Sequence, residues 1–175
     1  MKRFPYFLVF WPASDILQQK HTEGIESMLK AERRAEVEWH GSLIQGSGRL
    51  VSVGSGAIGN LPVTWASRTE RSDGKTSPEE LIAAAHAACY AMAFSHALAQ
   101  AGNPAERLTV DATCTFEQVA GGFKISTMLL DVHGKVPGLD QAGFEKLAQQ
   151  AEQGCPVSNA LRNNVTISVN AHLES

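Results

Sequence analysis

The hydrophobic patterning of this 175-residue chain predicts an α+β protein with mostly antiparallel strand pairing. Three observations carry the prediction. Strand-like runs separated by glycine- or asparagine-rich turns occupy the first half of the chain. One long alanine-rich segment carries helix start and stop signals at its two ends. Beyond it, a hairpin-like pair of alternating runs, a second helical stretch and a last alternating run follow in order. With 43% apolar residues, the chain is long enough for one ordinary domain with its own core.

Met1 to Ala13 combines a basic start with a short apolar run, the outline of a signal peptide. Pro5 interrupts that run early and it is too short to span a membrane. The simpler expectation is an arm that packs on the domain or on a partner subunit. Ser14 to Glu32 has helical composition, with Ile16, Leu17, Ile25, Met28 and Leu29 at mixed three- and four-residue spacings. Residues 1–32 are therefore read as an N-terminal extension and 33–175 as the domain.

Strands are expected at Ala35–His40, Gly48–Val53 and Leu61–Ala66. Ser77 to Ala101 is the clearest helix. Ser77 is a good N-cap, Pro78 suits the first helical position, and Glu80 completes a capping box; Gly102 and Pro104 supply the stop. Ten alanines between Ala83 and Ala101 leave every face small and open to close backbone approach, so this helix is expected to be central and buried, a core helix that could also lie at a subunit interface. Leu108, Val110, Ala112, Cys114 and Phe116 share one face of the next strand, Ala120–Gly122 turns the chain, and Phe123–Val136 returns. A helix from about Leu139 to Gln153 stops at Gly154, a short helix begins near Pro156, and Val165–Leu173 closes the chain as a strand.

The charge balance is −3 with a pI near 6.1 and no basic run, which argues against a nucleic-acid footprint. Three cysteines are an odd, sparse set rather than a secreted disulfide framework, and their separations match no zinc motif. A reducing cytoplasm fits them best.

Two of those cysteines sit in informative places. Cys155 stands where a helix N-cap would be, with Pro156 after it; orphan N–H groups and the positive helix end there favour a thiolate. The plain alternative is a small buried residue at a sharp turn. Cys89 lies three residues after His86 and so on the same helical face, where an imidazolium could lower its pKa. The plain alternative is a core cysteine, and two protein ligands are too few for a metal. Cys114 reads as inert packing. Arg68 and Arg71 precede the long helix and Glu79 opens it. Paired with that carboxylate beside a thiolate, an arginine could stabilise the thiolate and orient a peroxide oxygen, although such charges are more often solvated.

Three segments taken together carry a resemblance: Pro78-Glu-Glu-Leu-Ile-Ala-Ala-Ala-His-Ala-Ala-Cys89, Val136-Pro-Gly-Leu-Asp140 and Gly154-Cys-Pro-Val-Ser158. From about Val37 to Leu173 the chain resembles the OsmC/Ohr family of osmotically inducible and organic-hydroperoxide-resistance proteins, and its wording leans to the OsmC branch. The resemblance implies the OsmC-like fold, with antiparallel sheets packed around a central helix in an intertwined homodimer that shares its active sites. It implies a thiol-dependent peroxidase of organic hydroperoxides, and more weakly of hydrogen peroxide, in oxidative and osmotic stress defence. Cys89 would be the peroxidatic and Cys155 the resolving cysteine. Glu79 matches the family's glutamate and Arg68, placed in the strand before the helix, its arginine, with Arg71 a poorer substitute. The implied reductant is a dihydrolipoyl group on a partner protein; no metal, prosthetic group, nucleic acid or membrane is implied.

Two tensions follow. Helix-dipole reasoning selects Cys155 as the more acidic thiol, whereas the resemblance selects Cys89. In one continuous helix, ten residues also place Glu79 about 15 Å from Cys89, so a shared site needs a broken helix or a second subunit. The competing functions are a redox sensor that uses the same thiols without turnover and a carrier of small apolar ligands.

Overall fold

The computed structural model describes residues 30–174. The signal-like start and nearly all of the helix expected over 14–32 lie outside the described residues; Lys30 to Arg34 are irregular, so that helix does not extend to Glu32. The first strands are β1 (Ala35–His40), β2 (Ser47–Val53) and β3 (Gly59–Val63), an antiparallel sheet in that order. The third strand is shorter than expected. Trp65, Ala66 and Arg68 instead form a one-turn helix, α1 (Trp65–Thr69). Its cause is local: the Ser67 N–H donates to Thr64 Oγ1 and the Thr64 N–H donates to Ser67 Oγ, each at 3.0 Å. That reciprocal cap satisfies donors that a strand would have left to a neighbour.

Helix α2 (Pro78–Gln100) is unbroken for 23 residues. The Glu80 N–H donates to Ser77 Oγ at 3.1 Å, as the expected N-cap requires. The Glu80 carboxylate does not complete the box; it accepts from Thr76 Oγ1 at 3.0 Å. At the far end Gly102 has φ of +81°, and the N–H groups of Gly102 and Asn103 return to the carbonyls of Ala99 and Leu98. This is a Schellman stop, and the left-handed residue in it favours glycine.

The second sheet holds β4 (Arg107–Val119), β5 (Gly122–Lys135) and β6 (Thr166–Leu173), in that order. Strands β4 and β5 form the expected hairpin, with a register shift between Thr115 and Phe116. Strand β6 runs parallel to β5, departing from an all-antiparallel sheet. The connection explains it: α3 (Gln141–Gly154) and α4 (Pro156–Leu161) intervene, and a crossover of that length returns the chain in the same direction. The core lies between this sheet and the helices. Tyr90, Phe94 and Leu98 of α2 meet Leu130, Val132, Phe144, Ala148 and Ala171. Phe94 and Phe144 pack as a tilted ring pair with centroids 4.9 Å apart and planes at 52°.

Helix α2 is not buried all round. His86, Tyr90, Phe94 and Leu98 form a fully buried stripe at four-residue spacing, while Ala84, Ala85, Ala88 and Met92 face solvent in the single chain. Met92 is 68% exposed, and Val37, Trp39 and Ile58 of the first sheet and its loop are also open.

Candidate active site

The motif around Cys89 and the motif around Cys155 fold against each other. Cys155 is the joint between α3 and α4, with Pro156 as the first residue of α4. Its buried Sγ lies 3.4 Å from Cys89 Sγ, and both thiols are free. A disulfide needs about 2.05 Å between sulfurs, so closing the gap takes a movement of about 1.4 Å.

The outer residues of the two motifs meet as well. His86, three residues before Cys89, has its Nε2 2.8 Å from Oγ of Ser158, three residues after Cys155. Both side chains are fully buried, and His86 Nδ1 has no partner. Burial pulls the His86 pKa down and the nearby Glu152 carboxylate partly offsets it. His86 is thus a wedge between helices that stays neutral at ordinary pH, rather than a charge beside Cys89. Glu152 itself is buried and held by Arg162 Nη2 at 2.9 Å.

The electrostatics of Cys89 resolve the first tension in part. Burial pushes its thiol up, the backbone N–H of Val157 pulls it down, and the neighbouring Cys155 sulfur pushes it up again. The N-terminal turn of α4 therefore offers an N–H to Cys89, and none to the side chain of Cys155 at its own cap. Backbone donors aimed at sulfur favour the thiolate, yet within one chain burial still outweighs them.

Arg68 and Glu79 form a second cluster. Arg68 Nε and Nη2 both donate to Glu79 Oε1, at 2.8 and 2.7 Å. Glu79 is buried and its Oε2 has no partner. The Arg68 guanidinium lies 4.0 Å from the Phe116 ring centroid, a cation–π contact worth about 1 kcal/mol. Phe116 is stacked on Phe123, and Trp65 meets both rings edge-on. Arg71 lies in the exposed loop, 3.9 Å from Asp73, so Arg68 is the arginine that the fold brings to Glu79.

This pair lines a cavity of about 500 Å³ with Ala83, Cys114, Thr115 and Phe116. Cys114 is accordingly not mere packing among apolar neighbours. Burial pushes its thiol up and the Glu79 charge pushes it further. Sequence alternation placed Cys114 on the inner face correctly but could not show that Glu79 waits there.

The structure thus assembles Cys89 with Cys155, and Arg68 with Glu79, as two separate clusters in one chain. Because α2 is continuous, its rise holds Glu79 about 15 Å from Cys89. Val157, Ser158 and Phe116 were missed from sequence; the first acts through its backbone, and the other two were visible only as motif or strand neighbours.

Known proteins give the context. The chain matches the family model for OsmC-like proteins over residues 71–170. It is 37% identical over 135 residues to Peroxiredoxin OsmC of Escherichia coli (strain K12), a match covering 77% of this chain and 93% of that protein. It is 36% identical over 96 residues to an organic hydroperoxide resistance protein of Xanthomonas axonopodis pv. citri (strain 306), covering 54% and 65%. Among solved structures, an organic hydroperoxide resistance protein OsmC from Legionella pneumophila superposes with a TM-score of 0.64 and 27% identity, over 82% of this chain and 99% of that one. The organic hydroperoxide resistance protein OhrB of Bacillus subtilis superposes with a TM-score of 0.62 at 24% identity, over 81% and 98%, a likeness of fold alone. In fold, in motif order and in sequence, the chain belongs to the OsmC family.

Proposed function

We propose that this chain is a two-cysteine peroxidase of organic hydroperoxides in stress defence. The relatives named as peroxiredoxin and as hydroperoxide resistance proteins support a peroxidase-type role. The observation that carries the finer reading is the 3.4 Å separation of the Cys89 and Cys155 sulfurs. The Cys89 thiolate attacks one peroxide oxygen; the O–O bond breaks, the alcohol leaves with a proton, and Cys89 becomes a sulfenic acid. Cys155 then attacks that sulfur and water leaves as the disulfide forms. A dithiol of the dihydrolipoyl class returns both cysteines to thiols through two exchange steps, so no metal or prosthetic group takes part.

The Arg68–Glu79 cluster enters through a second subunit. A homodimer that sets one chain's Arg68 near its partner's Cys89 supplies the cation that the single-chain thiol lacks. The unpartnered Glu79 Oε2 and the open stripe of Ala84, Ala85, Ala88 and Met92 support that arrangement. Apolar walls such as Phe116 then favour an alkyl hydroperoxide over hydrogen peroxide, by about 25 cal/mol per Å² buried. A cytoplasmic location fits the reduced thiols this cycle needs.

The test is steady-state turnover of cumene hydroperoxide with a dihydrolipoyl reductant. Wild type should turn over and both Cys89→Ser and Cys155→Ser should stop. Turnover unchanged in Cys89→Ser contradicts the mechanism. Stoichiometric thiol loss without turnover in wild type makes the chain a redox sensor, and no thiol reaction makes it an apolar-ligand carrier.

A further inference from the structure

The side of the second sheet that faces away from the core carries a cluster unrelated to the thiols. Period-two alternation sends Val132 inward and puts Asp131 and His133 together on the outer face of β5. The parallel register of β6 then sets His172 directly beside His133. Among the described residues this is the one group of three or more His, Cys, Asp or Glu side chains spaced to hold a metal ion, with ligand atoms all within 4.8 Å of one another.

Its geometry is specific. Asp131 Oδ1 lies 3.5 Å from His133 Nε2 and 3.3 Å from His172 Nε2. Neither contact is a hydrogen bond: Oδ1 is shielded from solvent and unpartnered although two imidazole nitrogens face it. Bonds of about 2.0–2.1 Å to a tetrahedral zinc ion put neighbouring ligand atoms about 3.3–3.4 Å apart. The separations of 3.3 and 3.5 Å are close to two edges of such a tetrahedron, and the third, between the two Nε2 atoms, is within 4.8 Å, so drawing in one imidazole closes the shell around an ion. The imidazole rings stack with centroids 4.8 Å apart, and both present Nε2 to Asp131 Oδ1. Asp111, which pairs with Asp131 across β4, shares this face and adds negative charge near it.

We propose that Asp131, His133 and His172 form a binding site for a divalent transition-metal ion of the zinc class, with the remaining coordination position open to water. Two imidazoles and one carboxylate suit zinc and its neighbours rather than calcium or magnesium, which prefer all-oxygen shells. Because the ligands come from β5 and β6, the ion ties the last strand of the chain to the centre of the sheet, and metal binding stabilises the folded chain by mass action.

Equilibrium dialysis of the reduced full-length protein against Zn²⁺ tests this, with Co²⁺ as the spectroscopic substitute. Wild type should bind one ion per chain. His133→Ala and His172→Ala should each weaken binding at least about tenfold, the loss typical of even an outer-shell change, whereas Cys89→Ser/Cys155→Ser should not. The Co²⁺ form should show no sulfur-to-metal charge-transfer band, and Zn²⁺ should raise the melting temperature of wild type but not of His172→Ala. Binding unchanged in both histidine variants, a sulfur charge-transfer band that disappears with the cysteines, or no stoichiometric binding by wild type would each overturn the proposal.

Discussion

Burial raises the Cys89 thiol, the Val157 N–H lowers it, and Cys155 raises it again, so single residues already disagree about how reactive this cysteine is. His86 was a natural candidate to settle the matter from sequence, three residues away on the same face. Its Nε2 instead meets Ser158, and its burial keeps it neutral. That has a consequence for stability. The folded-state pKa of His86 is lowered from its ordinary value of 6.5, so below that pH the unfolded chain binds more protons than the folded one. Stability is therefore fully present above pH 6.5 and lost as pH falls toward the lowered folded value. His86→Gln, which retains a polar partner for Ser158, should flatten the denaturation midpoint between pH 7 and pH 5, as urea titrations would read; an unchanged slope would rule out His86 as its source. The residue types of the site were legible in the sequence because Cys89, Cys155 and Glu79 stand in recognisable motifs. The Val157 contribution was not, since a backbone N–H has no sequence signature.

Elements follow the sequence closely where local chemistry governs and depart from it where long-range pairing does. The caps of α2 were legible because Ser77, Pro78 and Gly102 act on their own neighbours. Ser77→Ala should cost about 1 kcal/mol of stability in chemical denaturation, the usual loss at an N-cap. A cost near zero would mean that Ser77 does not hold this end. Helix α1 was missed because Trp65 and Ala66 continue an apolar run, and only the reciprocal Thr64–Ser67 bonds reveal the helix. The direction of β6 depended on how α3 and α4 return the chain, which alternation cannot encode. Packing between elements is equally hidden in sequence. A Cβ built on Gly134 would sit 2.5 Å from Phe144 Cζ, so Phe144 of α3 packs directly onto the backbone of β5. Gly134→Val should therefore destabilise by about 1–3 kcal/mol, as overpacked cores do. Calorimetry showing no loss would mean that this helix–sheet contact can shift freely.

At the scale of the whole molecule, one chain holds two separate clusters, Cys89 with Cys155 and Arg68 with Glu79. An unbroken α2 keeps Arg68–Glu79 and Cys89 apart, while one side of that helix and much of the first sheet stay open. The alanines predicted a central helix open to close approach by other backbones, in the core or at a subunit interface; in one chain His86, Tyr90, Phe94 and Leu98 are its buried stripe, and Ala84, Ala85 and Ala88 lie on the open side. The proposed homodimer with shared sites would account for both facts, and it makes a sharp prediction. Cys89→Ser and Arg68→Ala homodimers should both be inactive, but co-expressed chains should regain turnover, because each mixed dimer rebuilds one intact site. Absence of complementation, or a monomeric mass in solution, would remove the shared site and leave Arg68 without a role in the thiol chemistry.

The claim that Cys89 attacks and Cys155 resolves is tested most directly by mapping oxidation after one equivalent of cumene hydroperoxide. Wild type should yield a Cys89–Cys155 disulfide peptide with Cys114 still reduced, and Cys155→Ser should yield a trappable sulfenic acid on Cys89. A sulfenic acid on Cys155 in the Cys89→Ser variant, or a disulfide that includes Cys114, would contradict it.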